Sequence, residues 1–258
     1  MPNLFINFTK SKQKTFNMPI AHILLDGANY NFDLFFEHFQ KRWGFPGIVP
    51  HRDKDSVGFI IDGVIVGCKF TPSPISAPAL VQHARDCVIW PGAEKYVSLH
   101  NAHLTVALAR EKNSIDSHIL FSKVIDGLLN QKNALGVYIA PGLFESAYYI
   151  KHAEVLLSEK LPTDLWVHIN CLGLEKDNGF SFYTSGMNKF EKKEFEMIET
   201  VQRDFIDAYY FIKKLINYAI ENDIDFKSGD TVGSDDFKTV LTVSKGIHLK
   251  DASVKIMA

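Results

Sequence analysis

The sequence is short of the residues that disulfides, metal clusters and membrane spans require. Its three cysteines, Cys68, Cys87 and Cys171, lie far apart, form no Cys-x-x-Cys pair and, being odd in number, fit no disulfide framework. Cys68 and Cys171 sit in apolar, strand-like runs where a reduced cysteine serves as a small core residue, so a reducing, cytoplasmic compartment is expected. No apolar run approaches the roughly 18 residues of a spanning helix, and no membrane association is expected. An excess of positive charge is missing too. Twenty-eight Lys and Arg against 30 Asp and Glu leave a net charge of −2, which offers no electrostatic footprint for nucleic acid.

The familiar chemical motifs are also absent. There is no GxGxxG or GxxxxGK[ST] phosphate cradle, no HExxH zinc pair and no GxSxG nucleophile elbow. Gly229 to Ser234 holds two glycines but no lysine after them. Asp223, Asp225 and Asp230 begin like a calcium loop, but Lys227 and Ser228 fall where such a loop needs its next ligand and its glycine. His100 and His103 form HxxH at the entry to a strand, where a spacing of three sends side chains to opposite faces. A site shared by His100, His103 and His168 is therefore not expected, nor is any other metal or cofactor.

What is present is a foldable pattern, with 46% hydrophobic residues and 22% charged ones, enough for a core without covalent staples. Residues 1–18, with Lys10, Lys12 and Lys14 and no acid, read as a flexible basic tail. Residues 19–258 read as a single α+β domain with pseudo-repeated halves at about 19–95 and 96–258. A strand at 20–26 precedes a helix that Asn31 caps and Gly44 ends. Strands at 57–61 and 64–70 meet at Asp62-Gly63, a hairpin signal. Pro72, Pro74 and Pro78 make a rigid connector before a short helix at 79–86. There follow a strand at 102–109, a helix capped by Ser114, a strand at 135–140, a helix at 144–159 and strands at 165–172 and 180–184. A long helix at 200–222 and one closing strand at 238–245 complete the order. This β-α-β-β then β-α-β-α-β-β succession predicts two ferredoxin-like βαββ units in a mostly antiparallel, continuous sheet, with helices packed on one face.

Two charge features stand out. Glu191, Glu194, Glu196 and Glu199 interleave with Lys189, Lys192 and Lys193, which reads as a solvated helix face. Between residues 221 and 236, Glu221, Asp223, Asp225, Asp230, Asp235 and Asp236 face Lys227 alone, a local patch suited to steering a basic partner.

Five segments, FTPSPI (70–75), VIWPGA (88–93), HNAHLTV (100–106), LPTDLWVHI (161–169) and YTSGMNKFEKKEFEM (183–197), together resemble the bacterial domain-of-unknown-function family four-two-six-one over roughly residues 19–225. Pro72, Pro74, Ile75, Trp90, Pro91, Ala93, His103, Leu161, Pro162, Leu165, Trp166, Val167, Gly186, Met187, Phe190 and Glu194 carry the resemblance. Most of them look architectural, with Trp90 preceding a proline turn and Trp166 in an alternating strand as core anchors, and Met187 and Phe190 packing a short helix. Ser185 intervenes before Gly186, and Glu191 stands where the family tends to have glycine, so a different turn is expected there. The resemblance implies a setting of type VI secretion and Rhs polymorphic toxin loci. It therefore implies a cytosolic immunity protein whose partner is a cognate secreted toxin domain, blocked by occlusion of its active site. Two other readings stay open: an enzyme centred on His103 and a nearby carboxylate, including one that reverses a toxin's modification, and an adaptor of a secretion apparatus.

Overall fold

The computed structural model describes residues 19–45, 50–76, 78–87, 89–109, 115–173, 179–199, 204–234 and 237–257. The expected tail at 1–18, the Ser114 cap, Asp235 and Asp236 lie outside these residues.

Local sequence signals build the first elements. After β1 (Ile20–Leu25), Asn31 caps α1 (Phe32–Trp43), its side chain accepting from the Asp33 and Leu34 amides at 2.9 and 3.3 Å. Gly44 ends the helix in the left-handed region at φ 69°. β2 (His51–Arg52) is short; β3 (Ser56–Ile61) and β4 (Val64–Thr71) form the expected hairpin, with positive φ at both Asp62 and Gly63. Then come α2 (Pro78–Arg85), α3 (Ala93–Leu99), β5 (Ala102–Ala109), α4 (Ile115–Leu129), β6 (Ala134–Ile139) and β7 (Gly142–Glu145).

These strands form one antiparallel sheet in the order β2-β3-β4-β5-β1-β6-β7. β5, from the second of the two expected halves (96–258), inserts between β4 and β1, so the strands of the two halves interleave in one sheet. Helices cover both faces, which corrects the one-face expectation. Alternation along β1 explains it: Ile23 and Leu25 share a core with Phe35 and Phe39 of α1 and Ile125 of α4. Leu24 turns the other way, into a second core with Leu80 of α2, Trp90 and Val97 of α3.

The remaining chain gives α5 (Ser146–Ala153) with a 3-10 turn at Glu154–Ser158, α6 (Thr163–Trp166), β8 (His168–Gly173), β9 (Phe180–Ser185), a 3-10 turn at Met187–Phe190 and β10 (Phe195–Glu199). α7 (Phe205–Glu221), β11 (Thr231–Ser234), β12 (Phe237–Lys245) and β13 (Ala252–Met257) follow. A second sheet runs β11-β12-β13-β10-β9-β8, antiparallel except for the β10–β13 pair. The sheet is therefore not continuous with the first, although one apolar core runs through both. α7, started by Asp204 as its cap, buries Ala208, Ile212, Ile216 and Ala219 in the core that holds Phe182, Phe195, Met197, Val254 and Ile256.

Four local expectations need correction. Residues 142–145 pair with β6 as a tight hairpin, so the helix expected at 144–159 starts only at Ser146. Trp166 lies in a helical turn that the Leu165 and Val167 amides close onto Pro162 and Thr163, and the strand begins after it. The Glu/Lys run at 189–199 is a turn and a strand, whose inward residues are Phe195 and Met197. The single closing strand is three, β11 to β13.

Candidate functional site

β10 sets the geometry of the C-terminal region. Its apolar residues enter the α7 core, and the acids between and before them point elsewhere into prepared cradles. Glu194 accepts from the Thr184 hydroxyl at 2.6 Å and from the successive amides of Gly186, Met187 and Asn188 at 2.9, 3.2 and 3.3 Å. Gly186 has φ 126°, and a Cβ there would stand 2.7 Å from the Trp166 carbonyl oxygen, so this close approach needs glycine. Glu196 is fully buried and accepts from three more successive amides, Ile247, His248 and Leu249, and from the Ser253 hydroxyl at 2.6 Å. The Lys255 ammonium completes its shell as an ion pair. Runs of converging amides of this kind are anion-binding concavities, and both are filled by the protein's own carboxylates. Gly186, Met187 and Glu194 of the resemblance are thus one structural unit. Glu191 takes φ 59°, ψ 28° after the 3-10 turn, so the chain makes the left-handed turn expected only of a glycine.

The acidic residues singled out from sequence sit beyond α7. Glu221 is exposed at its last position, and Asp223 and Asp225 follow in the turn. Lys192 pairs with Asp223 at 2.8 Å and holds its carboxyl below the usual range; Lys193 pairs with Asp225 at 3.1 Å. Asp230 is apart from them, closing its own turn by accepting the Lys227 amide at 2.8 Å. Lys192 and Lys193 are thus not on a solvated helix face but anchor the acidic turn, a role with no local sequence signal. On the solvent side of α7, Ile206, Tyr210 and Tyr218 are 55%, 54% and 52% exposed, with exposed Lys214 between the two tyrosines and Glu221 at the helix end.

The two histidines of HxxH act on the proline connector. His100 Nε2 accepts from the Ile75 amide at 2.9 Å while Nδ1 faces the Val97 carbonyl, which fixes a neutral tautomer, and burial lowers its pKa. His103 Nδ1 donates to the Ser73 carbonyl at 2.7 Å, between exposed Pro72 and Pro74. His103 also meets the His22 ring edge-on at 5.9 Å. Among the described residues no three His, Cys, Asp or Glu side chains gather as a metal site. Trp90 is 2% exposed and packs where a Cβ on Gly136 would lie 2.5 Å from its ring.

A recess of about 240 Å³ opens where β1, β6, α4, α5 and α6 meet. Trp166, Phe121, Tyr149, Leu165 and His118 line it, with Lys189 as its cationic group. Trp166 is anchored by its indole N–H, which donates to Ser122 Oγ at 2.8 Å. Lys189 reaches the Trp166 carbonyl at 3.3 Å, and burial lowers its pKa against the pull of Glu194. The local sequence places Lys189 in a charged run, and its apolar surroundings come from α4, α5 and α6, far from it in the chain.

A family model described as domain of unknown function (DUF4261) matches residues 183–257, the same family the sequence resembles. The match runs from within β9 to the end of β13, and so holds both carboxylate cradles, α7 and the acidic turn. Gly186, Met187, Phe190 and Glu194 fall inside it; Pro72, Pro74, Trp90, His103 and Trp166 fall outside. No curated protein and no solved structure matches the chain. Among the described residues, no helix is long and apolar enough to cross a membrane.

Proposed function

We propose that this chain is a cytosolic immunity protein that binds the catalytic domain of a cognate antibacterial toxin, of the type VI secretion or Rhs polymorphic class, and covers its active site. The observation that carries this reading is the exposed stripe of α7, Ile206, Tyr210 and Tyr218, running into the acidic turn of Glu221, Asp223 and Asp225. Tyrosines beside a charged rim are the composition of interface hot spots. Asp223 and Asp225 are each paired with a lysine, so Glu221 is the acid of this end left to complement a basic surface, as found on toxins that act on nucleotides or nucleic acid, and to speed encounter. Lys192 and Lys193 hold the turn in place from the segment just before β10, which keeps the acids in one geometry. In fold terms, β5-α4-β6 with β1 between its strands is a split β-α-β unit, and we read it as the ferredoxin-like element of the first sheet.

The test is capture of the toxin domain with tagged protein in its native host, read by mass spectrometry, followed by co-expression of that domain. Wild-type protein should form a one-to-one complex and restore growth. A Tyr210→Ala/Tyr218→Ala pair should lose protection by weakening binding at least tenfold, and Glu221→Lys should slow association. Recovery of apparatus proteins without any toxin, or full protection by the tyrosine pair variant, overturns the reading.

A further inference from the structure

We propose that the recess beside Trp166 binds a small organic acid, its carboxylate on Lys189 and its apolar body against Phe121, Leu165 and Trp166. Size and lining define the class. A cavity of about 150 Å³ takes up benzene, so about 240 Å³ suits a phenyl ring with a short acid chain. The walls are mostly apolar, with one ammonium to orient a ligand, the ordinary composition of a small-molecule pocket.

The charge balance supplies the polarity. Lys189 is half-buried, and an ammonium that has lost part of its hydration is costly to hold without an anionic partner. Among the described residues, the hydrogen bond made by Lys189 Nζ is the long one to the Trp166 carbonyl. The neighbouring carboxylate, Glu194, is held by the Thr184 hydroxyl and three amides on the other side of the 3-10 turn. An entering carboxylate therefore meets an ammonium that feels Glu194 through space and, among the described residues, makes no direct ion pair with it. Phosphate or sulfate would lose their hydration against Phe121, Leu165 and Trp166 with one cation to replace it, whereas an aryl or alkyl acid leaves only its head group to be satisfied. This site is separate from the α7 stripe, so its failure leaves the partner reading intact.

The full chain is titrated with 3-phenylpropionate and with its amide by calorimetry, while the Trp166 indole N–H is followed by NMR. The acid should bind saturably at one site and shift the Trp166 signal, with the amide roughly tenfold weaker. Lys189→Met should abolish the difference between acid and amide, and Lys189→Arg should keep it, both with unchanged far-ultraviolet circular dichroism. Equal binding of acid and amide, an acid preference that survives in Lys189→Met, or shifts confined to the Trp43 and Trp90 indoles overturns the proposal. So does the absence of saturable binding by both 3-phenylpropionate and hexanoate. Should Lys189→Met fail to fold, the wild-type comparison of acid with amide and the Trp166 shift decide the matter alone.

Discussion

Asp126 and Glu196 are both carboxylates with 0% exposure, and the protein treats them in opposite ways. Glu196 lies in the second sheet and receives three backbone amides, a hydroxyl and an ammonium. Asp126 lies on α4 beneath α1, where it accepts the Trp43 indole N–H at 2.9 Å and stands 3.1 Å from Arg42 Nε. That geometry leaves Asp126 Oδ1, Arg42 Nη2 and His38 Nε2 buried without a hydrogen-bond partner. Burial drives the Asp126 pKa up to about 6, against the pull of Arg42 and Trp43. Depth is the same in both cases, and the difference is who supplies the donors. Amides fixed by a folded loop cost no further ordering when they meet a carboxylate, whereas long side chains must be immobilised to do the same work.

The largest expected effect follows from emptying the better-served site. Glu196→Ala leaves Lys255 as an unpaired buried ammonium beside three converging amides, and should cost about 3–5 kcal/mol in urea unfolding. Gly246→Ala tests the cradle without touching the carboxylate. A Cβ at 246 would lie 2.2 Å from the Leu249 carbonyl oxygen, so the 246–251 loop could not close over Glu196, and a loss of similar size is expected. A loss below about 1 kcal/mol for Glu196→Ala would erase the contrast with Asp126.

The intermediate effect tests Asp126 itself, through pH. Its folded pKa near 6 stands above an unfolded value of about 3.9, so the folded state takes up the proton more readily. Stability should therefore rise as pH falls through 6 and level off below about 4, by on the order of 2–3 kcal/mol. His38, whose pKa burial lowers, pulls the opposite way, so the slope is read as wild type minus Asp126→Asn. A flat difference between pH 8 and pH 4 would show that Asp126 finds its donors after all.

The same contrast explains what the sequence made legible. Signals that act within a few residues read correctly: the Asn31 and Gly44 caps of α1, the Asp62-Gly63 hairpin, and the alternation of β5 over Ala102–Ala109. The second sheet was harder. Phe195 and Met197 alternate with Glu194 and Glu196, which is a strand period, yet the surrounding lysines suggested helix-face ion pairs. What makes that strand tolerable is a loop 51 residues later in the chain, and no local pattern announces it. Likewise, the insertion of β5 between β4 and β1 is a choice of long-range pairing that element order alone does not fix. Of the candidate site, the acids of the turn were visible as charge, whereas their lysine anchors and the Lys189 recess arise only from tertiary contact.

The smallest expected effect has the opposite sign and isolates backbone from charge. Glu191 belongs to the same acidic and basic run as Glu194, but its value to the fold is negative: it holds φ 59°, where an L side chain crowds the backbone. Its amide, which donates to the Asn188 carbonyl at 3.1 Å, is the useful part of the residue. Glu191→Gly keeps that amide and relieves the crowding, and should stabilise the chain by about 0.5–1 kcal/mol despite deleting a charge from the surface. Glu191→Ala, which deletes the charge and keeps the Cβ, should leave stability within about 0.5 kcal/mol of wild type. If alanine matched glycine in urea unfolding, repulsion among the acids rather than backbone conformation would be the force at work in this turn. The two cradles would then owe their carboxylates to charge density and not to the positions of their amides.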